Sequence, residues 1–338
     1  MNRIIVVAGM HRGGTSAAAA ALHSLGVEFG SNLMPATGDN EKGYWEDLEI
    51  KRLNVELLHR LGSAWYVPGV PSPGRFAGSE FAPFRLRAVR LLRKHLAGSR
   101  PFGIKDPRMA RLLPFWRNAI ATAGAVPSFL IALRHPQSVA QSLARRDGLE
   151  RQLSYDLWLE HMTAAEMDSR GFDRVVVDFD LLVGDAPAQT KRIARLLNLA
   201  LDATSPTLRN PFIDPELVRS NPDGPDAPPA ESVPMEVQAM YARLASLART
   251  DLPDQEAARG CSDGSAWVGD SALALRVRVA ARVGAARGAL HARIELLKGS
   301  SGPLARVLPI VRAARRIFGR KDFNDDVRRV NPPRIRTG

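Results

Sequence analysis

The sequence predicts an α/β fold, in which helices flank a parallel sheet and a helical extension follows at the C-terminus. Three observations support this class. Short apolar runs suited to buried strands alternate with segments of helical spacing along residues 1–250. The first run, Ile4-Ile5-Val6-Val7, is typical of a strand buried on both faces. After residue 270 the apolar residues keep a helical spacing with no strand between them.

The first strand runs into a glycine-rich turn and then a helix. Residues 9–16 are Gly-Met-His-Arg-Gly-Gly-Thr-Ser, and the alanine run that follows favours a helix. The amides of Gly13, Gly14, Thr15 and Ser16 have no partner inside such a helix, so they face whatever lies above its positive end. The turn is therefore predicted to bind a phosphate or sulfate group, with Arg12 as its cation.

The later elements follow in the same alternation. Apolar runs predict strands over 101–105, 126–133 and 174–179. Helical spacing predicts helices over 47–62, 83–96, 154–169, 188–199 and 235–248, with two more beginning at Pro107 and Pro136. Because parallel strands end at one edge of a sheet, Arg12, Lys105 and Arg134 are expected to share a ligand-binding edge.

Arg134 ends a predicted strand, and Ser142 lies eight residues later in the next helix. A guanidinium binds phosphate through two parallel N–H donors, and a hydroxyl on the neighbouring helix can complete the shell. The pair has a structural alternative, in which Arg134 binds a carboxylate such as Asp147 and Ser142 is only a tolerated helix residue.

The order of cation, small residue, glycine, Thr and Ser after an N-terminal strand resembles the 5′-phosphosulfate-binding loop of the sulfotransferases that use 3′-phosphoadenylyl sulfate. It differs from the nucleotide-binding loop G-x-x-x-x-G-K-[ST], because Arg12 precedes the glycine pair. The spacing of Arg134 and Ser142 resembles the element of that family that binds the 3′-phosphate. Lys105-Asp106-Pro107-Arg108 resembles a lysine-bearing strand end of carbohydrate sulfotransferases, of the bacterial type.

This resemblance implies a P-loop NTPase-like three-layer sandwich that transfers a sulfuryl group to a hydroxyl of a carbohydrate, glycolipid or other small acceptor. The loop from Gly13 to Ser16, with Arg12, would hold the 5′-phosphosulfate of the donor. Arg134 and Ser142 would hold the 3′-phosphate. Arg12, which stands in place of the family's usual lysine, and Lys105 would stabilise the charge that develops on the bridging oxygen.

A hydroxyl acceptor also needs a base. Glu46 is the first candidate, because the resemblance covers a Gly-aromatic-aromatic-Glu stretch and the Tyr44-Trp45 pair would shield the carboxylate from water. Glu41, Asp47 and His11 are alternatives, and Glu46 could instead cap the following helix. No metal site is expected, because the seven histidines and the single cysteine show no ligand spacing.

The net charge of +12 is concentrated at the C-terminus. Residues 1–270 contain 31 Lys and Arg against 31 Asp and Glu, whereas residues 271–338 contain the other 16 and 4. A nucleic-acid partner is therefore not expected. The sequence predicts a sulfotransferase-like domain over 1–250, a linker over 251–270 and basic amphipathic helices over 271–338. These helices could lie on an anionic membrane or an acidic polymer, pack on the domain or pair between protomers.

A cytoplasmic location is expected, with the inner membrane surface as an alternative, because Cys261 has no partner for a disulfide and the first strand begins almost at once. Two other functions stay open. A small-molecule kinase would need magnesium and a lysine that the first loop lacks, and a non-catalytic anion-binding scaffold would act through its basic tail. Acceptor recognition is expected in the irregular loops over 63–80 and 202–233, which carry no interpretable motif.

Overall fold

The apolar run at the N-terminus forms strand β1 (Asn2–Gly9) in the interior of the sheet. In the computed structural model, β1 pairs with β2 (Phe102–Lys105) on one side and with β3 (Ala125–Leu133) on the other, and β3 pairs with β4 (Arg174–Asp178). All three pairings are parallel, in the order β2-β1-β3-β4. The predicted α/β class with a parallel sheet is confirmed.

The structure describes residues 2–37, 40, 43–69, 71–98, 100–201, 213 and 233–250. The linker predicted over 251–270 and the basic helices predicted over 271–338 lie outside these residues, as does most of the loop predicted over 202–233. No helix within the described ranges has the length and apolar character needed to cross a membrane.

Helices fill the segments between the strands. Their bounds are α1 (Thr15–Ser24), α2 (Leu48–Arg60), α3 (Ala82–Leu96), α4 (Met109–Thr122), α5 (Pro136–Asp147), α6 (Arg151–Asp168), α7 (Phe179–Gly184), α8 (Ala186–Leu196) and α9 (Met235–Arg249). Eight of these correspond to predicted helices, with ends that differ by up to three residues where the apolar spacing fades.

Hydrogen bonds explain two of the boundaries that differ from the prediction. The helix expected from Pro107 begins at Met109, because an Asp106 oxygen accepts from the Arg108 amide at 3.0 Å and holds a turn before the helix. The strand expected to reach Phe179 ends at Asp178. The Asp178 side chain accepts from the amides of residues 180 and 181 at 2.9 and 3.1 Å and thereby caps α7, which the sequence did not predict.

Side chains of β1 alternate between two hydrophobic cores. Ile4 and Val6 belong to a cluster with α2 to α6 and α9, whereas Ile5 and Val7 belong to a second cluster with α1, α7 and α8. The sheet is thus the middle of three layers. Since both of its faces are covered, a ligand reaches the sheet at the edge where the strands end, which is the edge that carries the three predicted cations.

A buried carboxylate on α6 fixes α9 against the sheet. Glu166 accepts hydrogen bonds from Arg170 at 2.8 Å and from Arg243 of α9 at 2.9 Å, and it lies 3.8 Å from Arg174 of β4. Burial by itself raises the pKa of Glu166, but the surrounding arginines outweigh it, so the pKa lies below its ordinary value. The carboxylate is therefore ionised at neutral pH and joins three elements.

We expect Glu166→Gln to lower the free energy of unfolding by about 2 kcal/mol, because Arg170, Arg174 and Arg243 lose their common charged acceptor. Urea unfolding followed by far-ultraviolet circular dichroism at pH 7 would measure the change. Glu236→Gln, which alters an exposed carboxylate on α9, serves as the matched control and should shift the free energy by less than about 0.5 kcal/mol. Equal effects of the two substitutions would contradict the role of Glu166.

Candidate functional site

The turn after β1 is built around two residues in the left-handed region, Arg12 with φ 63° and Gly14 with φ 84°. The amide of Gly13 donates to the carbonyl of Met10 at 3.0 Å and closes the turn. A Cβ at Gly13 would lie 2.8 Å from that carbonyl, and a Cβ at Gly14 would lie 2.7 Å from the ring of Phe179. Both glycines are therefore required by close packing. Strain at a non-glycine residue such as Arg12 is typical of functional turns.

Side chains join the turn after β1 to the turn after β3. Arg12 Nε donates to Ser142 Oγ on α5 at 2.8 Å, and Arg134 Nη1 donates to the carbonyl of Arg12 at 3.3 Å. Arg134 and Ser142 are both buried. Two regions separated by more than a hundred residues of sequence thus meet at one place, where their cations can face a common ligand.

Two further contacts hold Arg134. Trp158 Nε1 donates to its carbonyl at 3.2 Å, and its guanidinium carbon lies 4.4 Å from the centre of the Phe179 ring. Burial lowers the pKa of Arg134 to about 10, which Asp180 opposes and nearby arginines reinforce, so the side chain stays cationic at neutral pH. Asp147, the alternative partner considered for Arg134, forms an ion pair of 2.7 Å with its neighbour Arg146.

Lys105 connects the end of β2 to the first turn and to Glu46. Its Nζ donates to Glu46 Oε1 at 2.9 Å and to Ser16 Oγ at 3.3 Å. The lysine and glutamate side chains are only 2% and 6% exposed. Asn40 also donates to Ser16 Oγ, at 3.3 Å, and the ring of Tyr44 lies 6.0 Å from the ammonium. The predicted lysine and the predicted base therefore form a buried ion pair beside the turn after β1.

Glu46 does not cap the following helix, so that alternative is wrong. Asp47 is the cap of α2, since its Oδ1 accepts from the amides of Glu49 and Ile50 at 2.9 and 3.1 Å. The carboxylate of Asp47, which was an alternative base, is therefore engaged in capping α2. Trp45 packs against other rings on the α1 side, at 4.7 Å from His23 and 5.7 Å from Phe29. Glu41, a further alternative base, lies outside the described residues.

His11 is the remaining alternative base, and it is buried beneath an aromatic ring. Its imidazole lies against Trp65 with 4.2 Å between ring centres and a tilt of 33° between the ring planes. Burial lowers the pKa of His11 well below its ordinary 6.5, and nearby cations such as Arg108, Arg146 and Lys105 lower it further. The ring is therefore neutral at neutral pH. Its Nε2 has no hydrogen-bond partner among the described residues.

Two buried charges fix the loop that carries Trp65. Arg111 of α4 donates to the carbonyls of Ala64, at 2.8 Å, and Gly69, whereas the carboxylate of Glu160 on α6 accepts from the amide of Gly69 at 2.8 and 2.9 Å. Burial raises the pKa of Glu160 to about 7, and Arg111 and the Gly69 amide oppose that rise. Part of the loop predicted to recognise the acceptor is thus attached to a carboxyl that titrates near neutral pH.

Three residues at this edge were not predicted from the sequence: Asn40, Trp158 and Phe179. Asn40 and Trp158 act through single hydrogen bonds to Ser16 and Arg134, and no local pattern marks such contacts. Phe179 had one available signal, since an Asp directly before an apolar residue, as in Asp178-Phe179, is typical of a helix start. No group of three or more His, Cys, Asp or Glu side chains within the described ranges could hold a metal ion.

No protein-family model matches the sequence, and no curated protein is significantly similar to it. Solved structures that are similar to the chain include two sulfotransferase domains. The sulfotransferase domain from the Synechococcus PCC 7002 olefin synthase matches 75% of this chain and 96% of its own, with 15% identity and a TM-score of 0.44. The sulfotransferase domain from the curacin biosynthetic pathway matches 72% and 98%, with the same identity and TM-score. Similarity at this level does not assign the chain to a family.

We expect Glu160 to make the wild-type protein less stable as the pH rises from about 5 to about 8. The folded state, with a pKa near 7, binds a proton that the unfolded state, with the ordinary value of 4.5, has already released in this range. The contribution of Glu160 to the free energy of unfolding therefore falls with pH, by up to about 3 kcal/mol. Glu160→Gln keeps an acceptor for Gly69 but cannot titrate, so its stability should match wild type near pH 5 and exceed it near pH 8.

Urea unfolding of both proteins at intervals across this pH range would measure the difference. Glu150→Gln, which alters an exposed carboxylate just before the same helix, is the control. Its free energy of unfolding, plotted against pH, should run parallel to that of the wild type. If the Glu160→Gln curve is parallel as well, the carboxyl does not titrate in this window.

Proposed function

We propose that the chain is a sulfotransferase, which moves a sulfuryl group from 3′-phosphoadenylyl sulfate to a hydroxyl of a small acceptor, with saccharides and glycolipids as the first classes to test. The meeting of the two turns supports this proposal most directly. The donor carries anionic groups at both its 5′ and its 3′ positions, and Arg12 and Arg134 lie at turns joined by the hydrogen bond between Arg12 and Ser142. One ligand can contact both cations.

The residues present fit such a donor. The first turn requires Gly13 and Gly14 because a Cβ would meet neighbouring atoms, and the same two glycines leave the helix amides open to a 5′-phosphosulfate. Arg134 and Ser142 would hold the 3′-phosphate. Ser138, one helical turn before Ser142, has a buried Oγ with no hydrogen-bond partner among the described residues, so it can supply another donor.

Transfer breaks one bond and forms another at sulfur. The acceptor oxygen forms a bond to sulfur while the bond from sulfur to the phosphate oxygen breaks, and the bonding electrons remain on that phosphate oxygen. Arg12 and Lys105 would stabilise the resulting charge. The proton of the acceptor hydroxyl would pass to the carboxylate of Glu46, and adenosine 3′,5′-bisphosphate leaves as the second product.

The ion pair of Lys105 and Glu46 links donor binding to this proton transfer. Lys105 Nζ lies 2.9 Å from Glu46 and 3.3 Å from Ser16 of the first turn, so a donor sulfate in that turn competes with Glu46 for the ammonium. Once Lys105 turns to the sulfate, the Glu46 carboxylate has an acceptor site available for the hydroxyl proton. Asp47 cannot replace it without uncapping α2.

We expect the wild-type protein to bind adenosine 3′,5′-bisphosphate in the absence of magnesium. Arg134→Gln should weaken this binding about tenfold to a hundredfold, because charge-assisted hydrogen bonds to phosphate are lost. Isothermal titration calorimetry would measure both affinities. Lys191→Gln, which removes an exposed cation from α8, should leave the affinity unchanged.

The same titrations distinguish the other functions. Binding of ATP that depends on magnesium would favour a kinase. Binding of neither nucleotide would favour a non-catalytic protein and would contradict the proposal.

We expect Glu46→Gln to reduce kcat for sulfuryl transfer about a hundredfold or more, since the acceptor loses its base. Its affinity for adenosine 3′,5′-bisphosphate should change much less. Labelled donor and a panel of saccharides and glycolipids would first identify an acceptor, and steady-state rates would follow.

His11→Asn, measured in the same assay, tests the alternative base. A loss of kcat in this variant together with an unchanged rate in Glu46→Gln would transfer the role of base to His11 and contradict the assignment of Glu46.

A further inference from the structure

The ring of Phe179 forms a wall shared by the two anion-binding turns. On the side of the first turn, it lies so near Gly14 that an added Cβ would come within 2.7 Å of a ring carbon. On the side of the second turn, the guanidinium carbon of Arg134 lies 4.4 Å from the ring centre. Phe179 itself is buried. A single side chain therefore contacts both turns.

The backbone fixes this position in two ways. Asp178 pairs with Leu133 in the parallel ladder of β3 and β4, so the next residue along each strand, Phe179 and Arg134, are neighbours at the strand ends. The side chain of Asp178 then caps α7 and turns the chain immediately at Phe179. The ring is thus anchored by a strand on one side and by a capped helix on the other.

We infer that Phe179 is a positioning residue, which sets the distance and orientation of Arg134 relative to the first turn so that one doubly anionic ligand contacts both turns at once. The inference rests on the proposed function, because it concerns the same nucleotide. Phe179 acts through Gly14 and Arg134 and takes no part in the chemical step.

The face of the ring has a specific effect on the guanidinium. An aromatic ring attracts a cation through its face but offers no hydrogen-bond acceptor, so the N–H groups of Arg134 stay directed outward in the guanidinium plane. Asp180, one residue after Phe179, is the acidic side chain whose charge acts on Arg134. Without the ring, Arg134 would gain room to turn toward this carboxylate and away from the ligand.

The test separates the contribution of the 3′-phosphate from the rest of the nucleotide. Adenosine 3′,5′-bisphosphate and adenosine 5′-monophosphate differ by that phosphate alone. The dissociation constant of the monophosphate divided by that of the bisphosphate is a ratio that measures how well both turns are used together. Phe179→Met conserves volume but removes the ring. We expect the ratio to fall about tenfold in this variant, which is the order of a desolvated cation–π contact, while the affinity for the monophosphate changes less than threefold.

Leu182→Ala provides the matched control, because Leu182 is fully buried in the same short helix. It should lower the melting temperature while leaving the ratio of dissociation constants near the wild-type value. If Phe179→Met does not fold, Phe179→Leu tests the same loss of the ring, with thermal unfolding used to verify the folded state.

An unchanged ratio in a folded Phe179 variant would overturn the inference, and so would an equal fall of the ratio in Leu182→Ala. These outcomes differ from failure of the proposed function, in which the wild-type protein would bind neither nucleotide and the inference would fall with it.

Discussion

The meeting of the turns after β1 and β3 is the constraint on which the candidate site depends. The two strands are adjacent and remain in register up to Gly9 and Ala132, so the turns that follow them start side by side. The hydrogen bond of 2.8 Å from Arg12 to Ser142 then joins the turns through side chains. A ligand with two anionic groups needs two binding turns at a fixed separation, and here rigid paired strands determine that separation.

Positive charge gathers at this edge, and the structure accommodates it in two ways. Lys105 is neutralised by Glu46 in a buried ion pair. The contacts that join Arg12 and Arg134 to the opposite turn instead use a hydroxyl and a carbonyl as acceptors, neither of which cancels a charge. Where water is excluded, an arriving anion gains a strong attraction to such cations. Asp180 also acts electrostatically on Arg134, and an anion reaches Lys105 only in competition with Glu46.

The sheet and the first turn could be predicted because they depend on local pattern. A run of branched apolar residues indicates a buried strand wherever it occurs, and the glycine pair after it indicates a turn that no side chain would allow. Placing Arg12, Lys105 and Arg134 at one edge needed only the further rule that parallel strands end together. The roles of these residues are not established by their positions, and they stay predictions.

Contacts between distant segments could not be predicted, and they decide how the site works. Lys105 and Glu46 lie 59 residues apart, and nothing local to either residue indicates that they pair. The sequence suggests that a ring pair shields the base, whereas the structure gives Glu46 a cation as its partner. While Lys105 donates to Glu46, that carboxylate oxygen is occupied, and it is released only when the ammonium finds another anion. A sulfate beside Ser16 is such an anion, so under the proposed function the arrival of the donor also makes the base available.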